Sequence, residues 1–352
     1  MEKIRLLDLD THELEEFVAS KDLPKYRAKQ IAERLTAGAS FEEMTNLSKD
    51  VRAMLAECAV TGIPEVADVK RSQLDGTVKF LFEQEDGVLV ESVLMKYSYG
   101  YSVCISSQAG CKMGCKFCAS AGIPFSRSLS AGEILGQVIA VQKHENVRIG
   151  HIVIMGIGEP LDNFDSVMRF LELVNDPLGM NIGMRHISLS TCGLIERFDD
   201  LAGEDLQLTL SVSLHAPDDE TRSRIMPANH GRGVEKLIDA CRSYYEKTGR
   251  RISFEYAMID GVNDSPAQAR LLAKHARAVA AHVNLIPLNH VEERQFQPST
   301  PEHMKNFIQI LEDAGVNVTV RRRLGSDVDA SCGQLRRKMQ AQNKGKGGSA
   351  EA

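Results

Sequence analysis

The feature that most constrains the fold is a regular alternation of strand-like and helical patterns over residues 101–320. Strand-like runs fall at 101–106, 151–155, 186–190, 208–214, 252–258 and 282–287, and one more, VNVTVRR, closes the series. Amphipathic helical patterns lie at about 130–146, 164–175, 194–203, 233–248, 266–280 and 301–314. Such alternation predicts an α/β fold in which helices wrap a parallel sheet. Six strand–helix units suit a partial (β/α)6 barrel better than the closed eight-unit barrel.

Residues 1–75 precede the alternation and predict a small helical accessory domain. LPKYRAKQIAERL and SFEEMTNLSKDVRAMLAEC space their apolar residues three and four apart, with Ser40 and Ser48 as the expected helix caps. The domain's basic residues form either a basic face that contacts a partner or an ordinary solvated helix surface: Lys21, Lys25, Arg27, Lys29 and Arg34.

The rest of the chain divides into three further segments. Residues 76–96 hold TVKFLFE and VLVESVLMKY around the turn Glu85-Asp86-Gly87, which predicts a hairpin linker. The catalytic domain is expected at 97–338. Residues 339–352 are polar and glycine-rich, and we expect them to be disordered.

The composition excludes several protein classes. Hydrophobic residues make up 43% of the 352 residues and charged residues 26%, which is ordinary for a globular protein with a sizeable core. Acidic residues interrupt the N-terminus and no long apolar run follows. We therefore expect no secretory signal, no membrane span and a cytoplasmic protein. In that reducing compartment, eight cysteines favour metal binding or catalysis over disulfides.

Four of these cysteines lie in CISSQAGCKMGCKFC, residues 104–118, and three of them, Cys111, Cys115 and Cys118, have Cys-x3-Cys-x2-Cys spacing. An iron–sulfur cluster of four irons normally takes four thiolates, so this loop would leave one iron open. A structural zinc site needs a second ligand pair, which does not follow here. The spacing favours a cluster over zinc or a chance packing of buried cysteines.

Candidate site residues, most of them polar, follow most of the predicted strands, at the carboxyl ends where parallel α/β folds build their sites. These residues are Gly158 and Glu159 after the second strand, Ser190 after the third, Ser213, Leu214 and His215 after the fourth, and Asn289 after the sixth. Taken singly, each is more commonly a satisfied polar group at a strand end.

Cys332 follows the last strand, in a segment (317–338) with six basic and two acidic side chains. Nearby arginines favour a thiolate and contacts to phosphate, although a solvated charge run is the common alternative. Cys104 on its own is an ordinary buried cysteine, and Glu91 an ordinary exposed carboxylate.

Longer strings carry a more specific signal than the cysteine spacing alone. CISSQAGCKMGCKFCAS, MGIGEP, SLHAP, NLIPLNH and GSDVDASCGQLR resemble the RlmN/Cfr family of radical S-adenosylmethionine (SAM) RNA adenine methyltransferases, over about residues 12–337. The resemblance implies a radical SAM barrel with one 4Fe-4S cluster on Cys111, Cys115 and Cys118 and with SAM on the open iron. It also implies SAM contacts from Gly158, Glu159, Ser190, Ser213, Leu214, His215 and Asn289.

The same resemblance implies the catalytic residues. Cys332 would carry a methyl group taken from one SAM, a second SAM would supply the radical, Glu91 would remove the ring proton, and Cys104 would release the product by forming a disulfide. Cys58, Cys192 and Cys241 match no catalytic position, and we expect them to be structural. The implied partners are 23S rRNA, tRNA and a flavodoxin- or ferredoxin-type reductant, and the protein is expected to be a monomer.

The expected reaction is methylation of carbon 2 of adenosine, at adenosine 2503 of 23S rRNA and adenosine 37 of tRNAs. Pro160 favours this branch, because the carbon-8 (Cfr) branch typically has alanine there. Arg127-Ser128-Leu129 departs from the family's usual Arg-Asn-Leu. The alternatives are a carbon-8 enzyme that confers antibiotic resistance, a radical SAM enzyme acting on a small molecule, and a zinc-stapled RNA-binding protein.

Overall fold

The computed structural model describes residues 3–288 and 295–328. Within those ranges the helices are α1 (Thr11–Ala19), α2 (Tyr26–Thr36), α3 (Lys49–Cys58), α4 (Ala131–Glu145), α5 (Phe164–Asn175), α6 (Phe198–Gly203), α7 (Asp219–Ile225), α8 (Val234–Thr248), α9 (Pro266–Ala278) and α10 (Pro301–Asp313). The strands are β1 (Ile4–Arg5), β2 (Ala59–Val60), β3 (Glu65–Arg71), β4 (Val78–Glu83), β5 (Leu89–Tyr97), β6 (Gly100–Cys104), β7 (Gln108–Ala109), β8 (Arg127–Ser128), β9 (Ile149–Ile154), β10 (Ile187–Thr191), β11 (Thr209–Ser213), β12 (Ile252–Met258), β13 (His282–Pro287) and β14 (Val318–Val320).

The main sheet has ten strands in the order β14-β13-β12-β11-β10-β9-β6-β5-β4-β3. β6 and β9 to β14 run parallel to one another. β3 to β6 form an antiparallel meander, so β6 belongs to both parts of the sheet. At least one helix follows each parallel strand before the next begins, so the predicted alternation of six strand–helix units and a closing strand is confirmed. In the part of the chain that the structure describes, β14 and β3 are the two edges of the sheet, and the barrel is therefore partial.

The two faces of the sheet have different compositions, and β12 shows the pattern. Ile252, Phe254 and Tyr256 are fully buried in the core under the helices. Ser253 and Glu255 alternate with them and point to the opposite, inner face, because successive side chains of a strand lie on opposite faces. In β12 the apolar half thus makes the core, and the polar half lines the inside of the barrel.

Two local predictions differ from the structure. The segment after Ser40 forms hydrogen-bonded turns rather than a helix, whereas Ser48 caps α3 by accepting a hydrogen bond from the Val51 amide at 3.3 Å. Helix α7 was not predicted, because its seven residues are too few to display a 3.6-residue period. Its local signal is Asp218, which accepts from the Thr221 amide at 2.7 Å as the N-cap.

The predicted hairpin forms β4 and β5, and both strands belong to the main sheet. The structure adds β3 on the outer edge, whose charged sequence EVADVKR gives little strand signal. The inner face of β5 and β6 carries a small apolar cluster of Val93, Met95 and Cys104, separate from the main core.

Residues 321–328 connect the two edges of the sheet. They leave β14 at Arg321, and Leu324 packs on the cluster around Cys104. The Gly325 amide then donates to Asp75 at 2.8 Å, and Asp327 accepts from the Ser72 hydroxyl at 2.7 Å, both in the turn between β3 and β4. This closing segment therefore crosses the open side of the barrel. No helix in the described ranges is long and apolar enough to span a bilayer.

Candidate active site

A cavity of about 310 Å³ lies at the carboxyl ends of the parallel strands, where the site was predicted. Every parallel strand contributes to its wall, either directly or through the segment that follows it. The lining residues include Cys111, Cys115, Cys118, Met155, Gly158, Glu159, Ser190, Cys192, Ser213, His215, Glu255, Leu288 and Arg321. The structure thus brings together residues that are up to 210 positions apart in the chain.

The cysteine loop enters this cavity through a sharp bend at Gly110. Its φ of 84° lies in the left-handed region, and an added Cβ would lie 2.2 Å from the Pro124 carbonyl oxygen. The loop is closed at its base by β7 and β8 and tightened by a 3.0 Å hydrogen bond from the Cys118 amide to the Cys115 carbonyl. All three cysteines of the motif consequently face one end of the cavity.

The thiols of this loop are suited to a charged metal group. Burial raises the pKa of Cys111 to about 11 and raises the pKa of Cys115 further, with the neighbouring thiols adding to both shifts. Thiolates there therefore require a cationic partner such as iron.

The spacing of the sulfur atoms separates two kinds of metal group. Ligands of a single zinc ion, each about 2.3 Å from the metal, lie roughly 4 Å from one another. In the described ranges the three cysteines do not form a group whose ligand atoms all lie within 4.8 Å of one another. Their arrangement accordingly fits a multi-atom cluster better than one ion.

The turn after β9 brings its backbone close to the cysteine loop. Gly158 has φ 113°, and an added Cβ would lie 2.7 Å from the Ser107 hydroxyl. Glu159 is buried, with Oε2 accepting from the Cys192 amide at 2.6 Å and Oε1 accepting from the Leu161 amide at 3.0 Å. Burial raises the pKa of Glu159, and these two hydrogen bonds oppose that rise. A carboxylate held in this way is suited to bind an ammonium group in the cavity.

The ends of β10 and β11 supply a second polar wall. The hydroxyls of Ser190 and Ser213 are 3.4 Å apart, and His215 packs edge-on against Phe117 with ring centroids 4.7 Å apart. His215 Nδ1 accepts from the Ala257 amide at 2.9 Å, so the proton of the neutral ring is on Nε2. Burial, together with the charge of Arg222, lowers the pKa of His215 to about 3. This histidine is a neutral donor at physiological pH.

Among the predicted SAM contacts in the described ranges, Leu214 does not line the cavity. The Leu214 side chain is buried in the main core, its amide donates to the Glu255 carbonyl, and its carbonyl accepts from Arg222. Asn289 lies outside the described residues, as does Cys332.

The two remaining catalytic candidates lie on β5 and β6. Glu91 is buried, and its Oε2 is 3.4 Å from the Nζ of the fully buried Lys79. Cys104 is opposite Val93 and packs near Met155 and Leu324, so it lies beside the cavity rather than in its wall. Burial raises the pKa of Cys104, and the charge of Arg321 acts in the opposite direction.

Sequence reasoning missed three cavity residues. Glu255 interrupts an otherwise apolar strand at an inner-face position, and that alternation is a signal that could have identified it. Arg321 is the first residue after β14, which is the strand-end position used for the other candidates. Cys192 was expected to be structural, yet it lines the cavity and its amide binds Glu159.

Comparisons with known proteins agree with this geometry. Residues 105–273 match the radical SAM superfamily, and residues 4–61 match the ribosomal RNA large subunit methyltransferase N-terminal domain. A protein of Desulforamulus reducens named probable dual-specificity RNA methyltransferase RlmN is 49% identical, over 97% of this chain and 98% of its own. A protein of the same name from Clostridium perfringens is 48% identical, over 94% and 96%.

A solved structure is also similar over nearly the whole chain. The crystal structure of a radical SAM methyltransferase from Sphaerobacter thermophilus matches with a TM-score of 0.90 and 41% identity, covering 94% of this chain and 98% of that one. Identity at this level over almost the full length, together with the cysteine loop and the cavity beside it, establishes the family. The chain belongs to the RlmN family of radical SAM methyltransferases.

Proposed function

We propose that this protein methylates carbon 2 of adenosine in RNA, at adenosine 2503 of 23S rRNA and adenosine 37 of tRNAs, through an S-methylcysteine on Cys332. The observation that carries the proposal is one continuous inner surface. It begins at the cysteine loop, passes Glu159 and His215, and reaches Cys104 under the closing segment that leads to Cys332. The similar proteins named dual-specificity RNA methyltransferases support the choice of substrate.

In this proposal Cys111, Cys115 and Cys118 hold one 4Fe-4S cluster, and SAM binds beside it. The buried carboxylate of Glu159 accepts from the SAM ammonium group, close to the backbone of Gly158. The Nε2 proton of His215 and the hydroxyls of Ser190 and Ser213 are the donors available to the rest of the cofactor. Asn289 is assigned to SAM on its sequence motif alone.

Carbon 2 of adenine is not a nucleophile, so a polar transfer from SAM cannot methylate it. When bound, the cluster and SAM supply the radical chemistry that this carbon requires. Cys332 first takes the methyl group from one SAM by displacement, and a second SAM is used in each turnover. Glu91, held by Lys79, would take the ring proton. The Cys104 thiolate would then attack the Cys332 sulfur and break the bond from that sulfur to the transferred carbon. The electron pair of that bond leaves with the product, and a disulfide remains.

The position of the closing segment supports the pairing of Cys104 with Cys332. Leu324 packs on the Cys104 cluster, and Asp327 is fixed to the turn at Ser72. Cys332 follows Val328 by four residues, which span at most about 14 Å when extended. This short connection to a segment that packs on the Cys104 cluster is what supports the proposed pairing.

The proposal also includes a flavodoxin- or ferredoxin-type reductant, RNA contacts from the N-terminal helices and a monomeric, cytoplasmic enzyme. Carbon 2 is favoured over carbon 8 by Pro160, which begins a short 3-10 turn directly after Glu159.

The test is mass spectrometry of nucleosides from unmodified 23S rRNA and tRNA after reaction with anaerobically reconstituted enzyme, SAM and a reductant. We expect 2-methyladenosine with the wild type and with Cys58→Ala, a control cysteine distant from the site, and none with Cys332→Ala. Appearance of 8-methyladenosine would move the protein to the carbon-8 branch. An intact cluster without any methylated adenosine would refute the RNA substrate, and zinc in place of iron would refute the cluster.

A further inference from the structure

Arg222 is an unusual residue for the interior of a protein. It is on the short helix α7 and only 1% exposed, and it is among the largest fully buried side chains of the described chain. A guanidinium group keeps its charge at any physiological pH. Burying such a charge costs several kcal/mol unless an opposite charge lies nearby.

The hydrogen-bond partners of Arg222 are all neutral. Nε donates to the Leu214 carbonyl at 3.0 Å, and Nη1 donates to the side-chain oxygen of Asn229 at 2.6 Å. Nη2 donates to the carbonyls of Cys192 and Ser213, at 2.6 and 3.2 Å. Within residues 3–288 and 295–328, no carboxylate oxygen comes within 4.0 Å of this guanidinium. Its hydrogen bonds are satisfied, but it has no ion pair in these ranges. The carboxylate of Asp219 acts on its charge only from beyond Asn229, whose side chain bonds to both residues.

The helix that carries Arg222 supports the cysteine loop directly. The amide of Lys116, next to Cys115, donates to the Ile225 carbonyl at 2.9 Å. Pro227 lies 3.8 Å from the position of a Cβ on Gly114, and Met226 lines the cavity. The Arg222 guanidinium also donates to the Cys192 carbonyl at 2.6 Å, and Cys192 lines the same cavity as Cys115. A buried charge without an ion pair in the described ranges is therefore carried by the helix that supports the loop proposed to hold an anion.

We infer that Arg222 is a positioning residue that supplies the countercharge of the cluster on Cys111, Cys115 and Cys118. The inference rests on the proposed function, because it requires the cluster. A 4Fe-4S cluster on three thiolates carries net negative charge, which grows by one on reduction. A fixed positive charge favours the more negative state, so Arg222 raises the reduction potential. Its hydrogen bonds to the Cys192 and Ser213 carbonyls also fix helix α7 to the ends of β10 and β11, where Ser190 and Ser213 line the cavity.

The experiment is a redox titration, followed by electron paramagnetic resonance, of reconstituted wild type, Arg222→Gln and Arg222→Lys. We expect the ratio of reduced to oxidised cluster in Arg222→Gln, at a fixed potential, to fall about tenfold relative to the wild type, equivalent to about 59 mV for one electron. Arg222→Lys, which keeps the charge, should titrate close to the wild type. Asn229→Ala is the matched structural control, because it removes one partner of Arg222 and leaves the charge. It should lower the melting temperature without moving the potential.

Each outcome decides the inference. Equal potentials for wild type and Arg222→Gln, or an equal shift in Arg222→Lys, would overturn it. If Arg222→Gln binds no iron, recovery of iron binding in Arg222→Lys supports the countercharge. Loss of iron in both variants, with the same unfolding of their cluster-free forms, would reduce Arg222 to a structural residue. A wild type that binds no cluster would instead refute the proposed function.

Discussion

His215 shows how a single residue specifies the wall of the cavity. Its φ of 55° lies in the left-handed region, which non-glycine residues seldom adopt. Two hydrogen bonds stabilise this conformation. The Asn263 side-chain amide donates to the His215 backbone carbonyl at 2.6 Å, and the Ala257 backbone amide donates to Nδ1 of the His215 ring. The ring is consequently fixed as one neutral tautomer, with its remaining donor available to a ligand.

The lowered pKa of His215 predicts a pH dependence of stability. Between pH 6.5 and about 3 the unfolded chain binds a proton at this site and the folded chain does not, so stability falls as the pH falls. One such group contributes a slope of up to about 1.4 kcal/mol per pH unit. Urea unfolding of the cluster-free protein at several pH values should show a smaller slope for His215→Gln than for the wild type. Identical slopes would mean that the buried ring does not resist protonation.

Gly110 and Gly114 allow strain and steric clash to be separated within one loop. Both have positive φ, 84° and 69°, so alanine at either position costs about 1–2 kcal/mol of backbone strain. A Cβ added at Gly110 would lie 2.2 Å from the backbone oxygen of Pro124, which is a clash. A Cβ added at Gly114 would lie 3.8 Å from the Pro227 side chain, which is an ordinary contact. We expect Gly110→Ala to lose most of its reconstituted iron, measured by iron content and visible absorbance. Gly114→Ala should keep most of its iron, and equal losses would contradict the steric account.

At the level of elements, the closing segment 321–328 runs from the last parallel strand, β14, to the turn between the antiparallel strands β3 and β4. It joins the two edges of the sheet through side-chain and backbone hydrogen bonds, with little buried apolar surface apart from Leu324. Segments held by so few contacts open more readily than core strands. Because the segment leads directly to Cys332 in the chain, the proposed role of Cys332 makes its position testable.

Asp327→Ala tests that role. The change removes acceptors for the Ser72 hydroxyl and the Gln73 amide, 2.7 and 2.8 Å away, at an exposed site. We expect faster hydrogen exchange in residues 72–75 and 321–328 and several-fold slower methylation, with iron content unchanged. Asp313→Ala is the control, since Asp313 is an exposed acid that accepts a hydrogen bond from Gln309, in its own helix. Unchanged exchange and methylation in Asp327→Ala would show that the segment is positioned by other contacts.

At the level of the whole molecule, local sequence patterns predicted the elements well because they record burial. The bounds of α5, β12 and β13 match their apolar patterns, and the residues after most strands converge on one cavity as the parallel topology requires. β3 was missed because its surface position leaves it charged. α7 was missed because it is shorter than the pattern that identifies helices.

Long-range pairing set the limit of prediction. The sequences of β4 and β5 predict a hairpin, but they do not show that β5 pairs with β6 and so joins the hairpin to the main sheet. That pairing depends on contacts with another segment of the chain. The sequence around Arg222 gives no sign that this arginine is buried. Its burial results from the packing of α7 against the ends of β10 and β11. The unpredicted features are those that several distant segments create together.

The most direct test of the account uses Cys104→Ala. If Cys332 carries the transferred carbon and Cys104 releases the product, the variant should leave RNA covalently attached to the protein. The attached species should appear on denaturing gels in the presence of SAM and a reductant, and should be absent from the Cys104→Ala, Cys332→Ala double variant. Normal release of 2-methyladenosine by Cys104→Ala, without any adduct, would contradict the proposed roles of both cysteines.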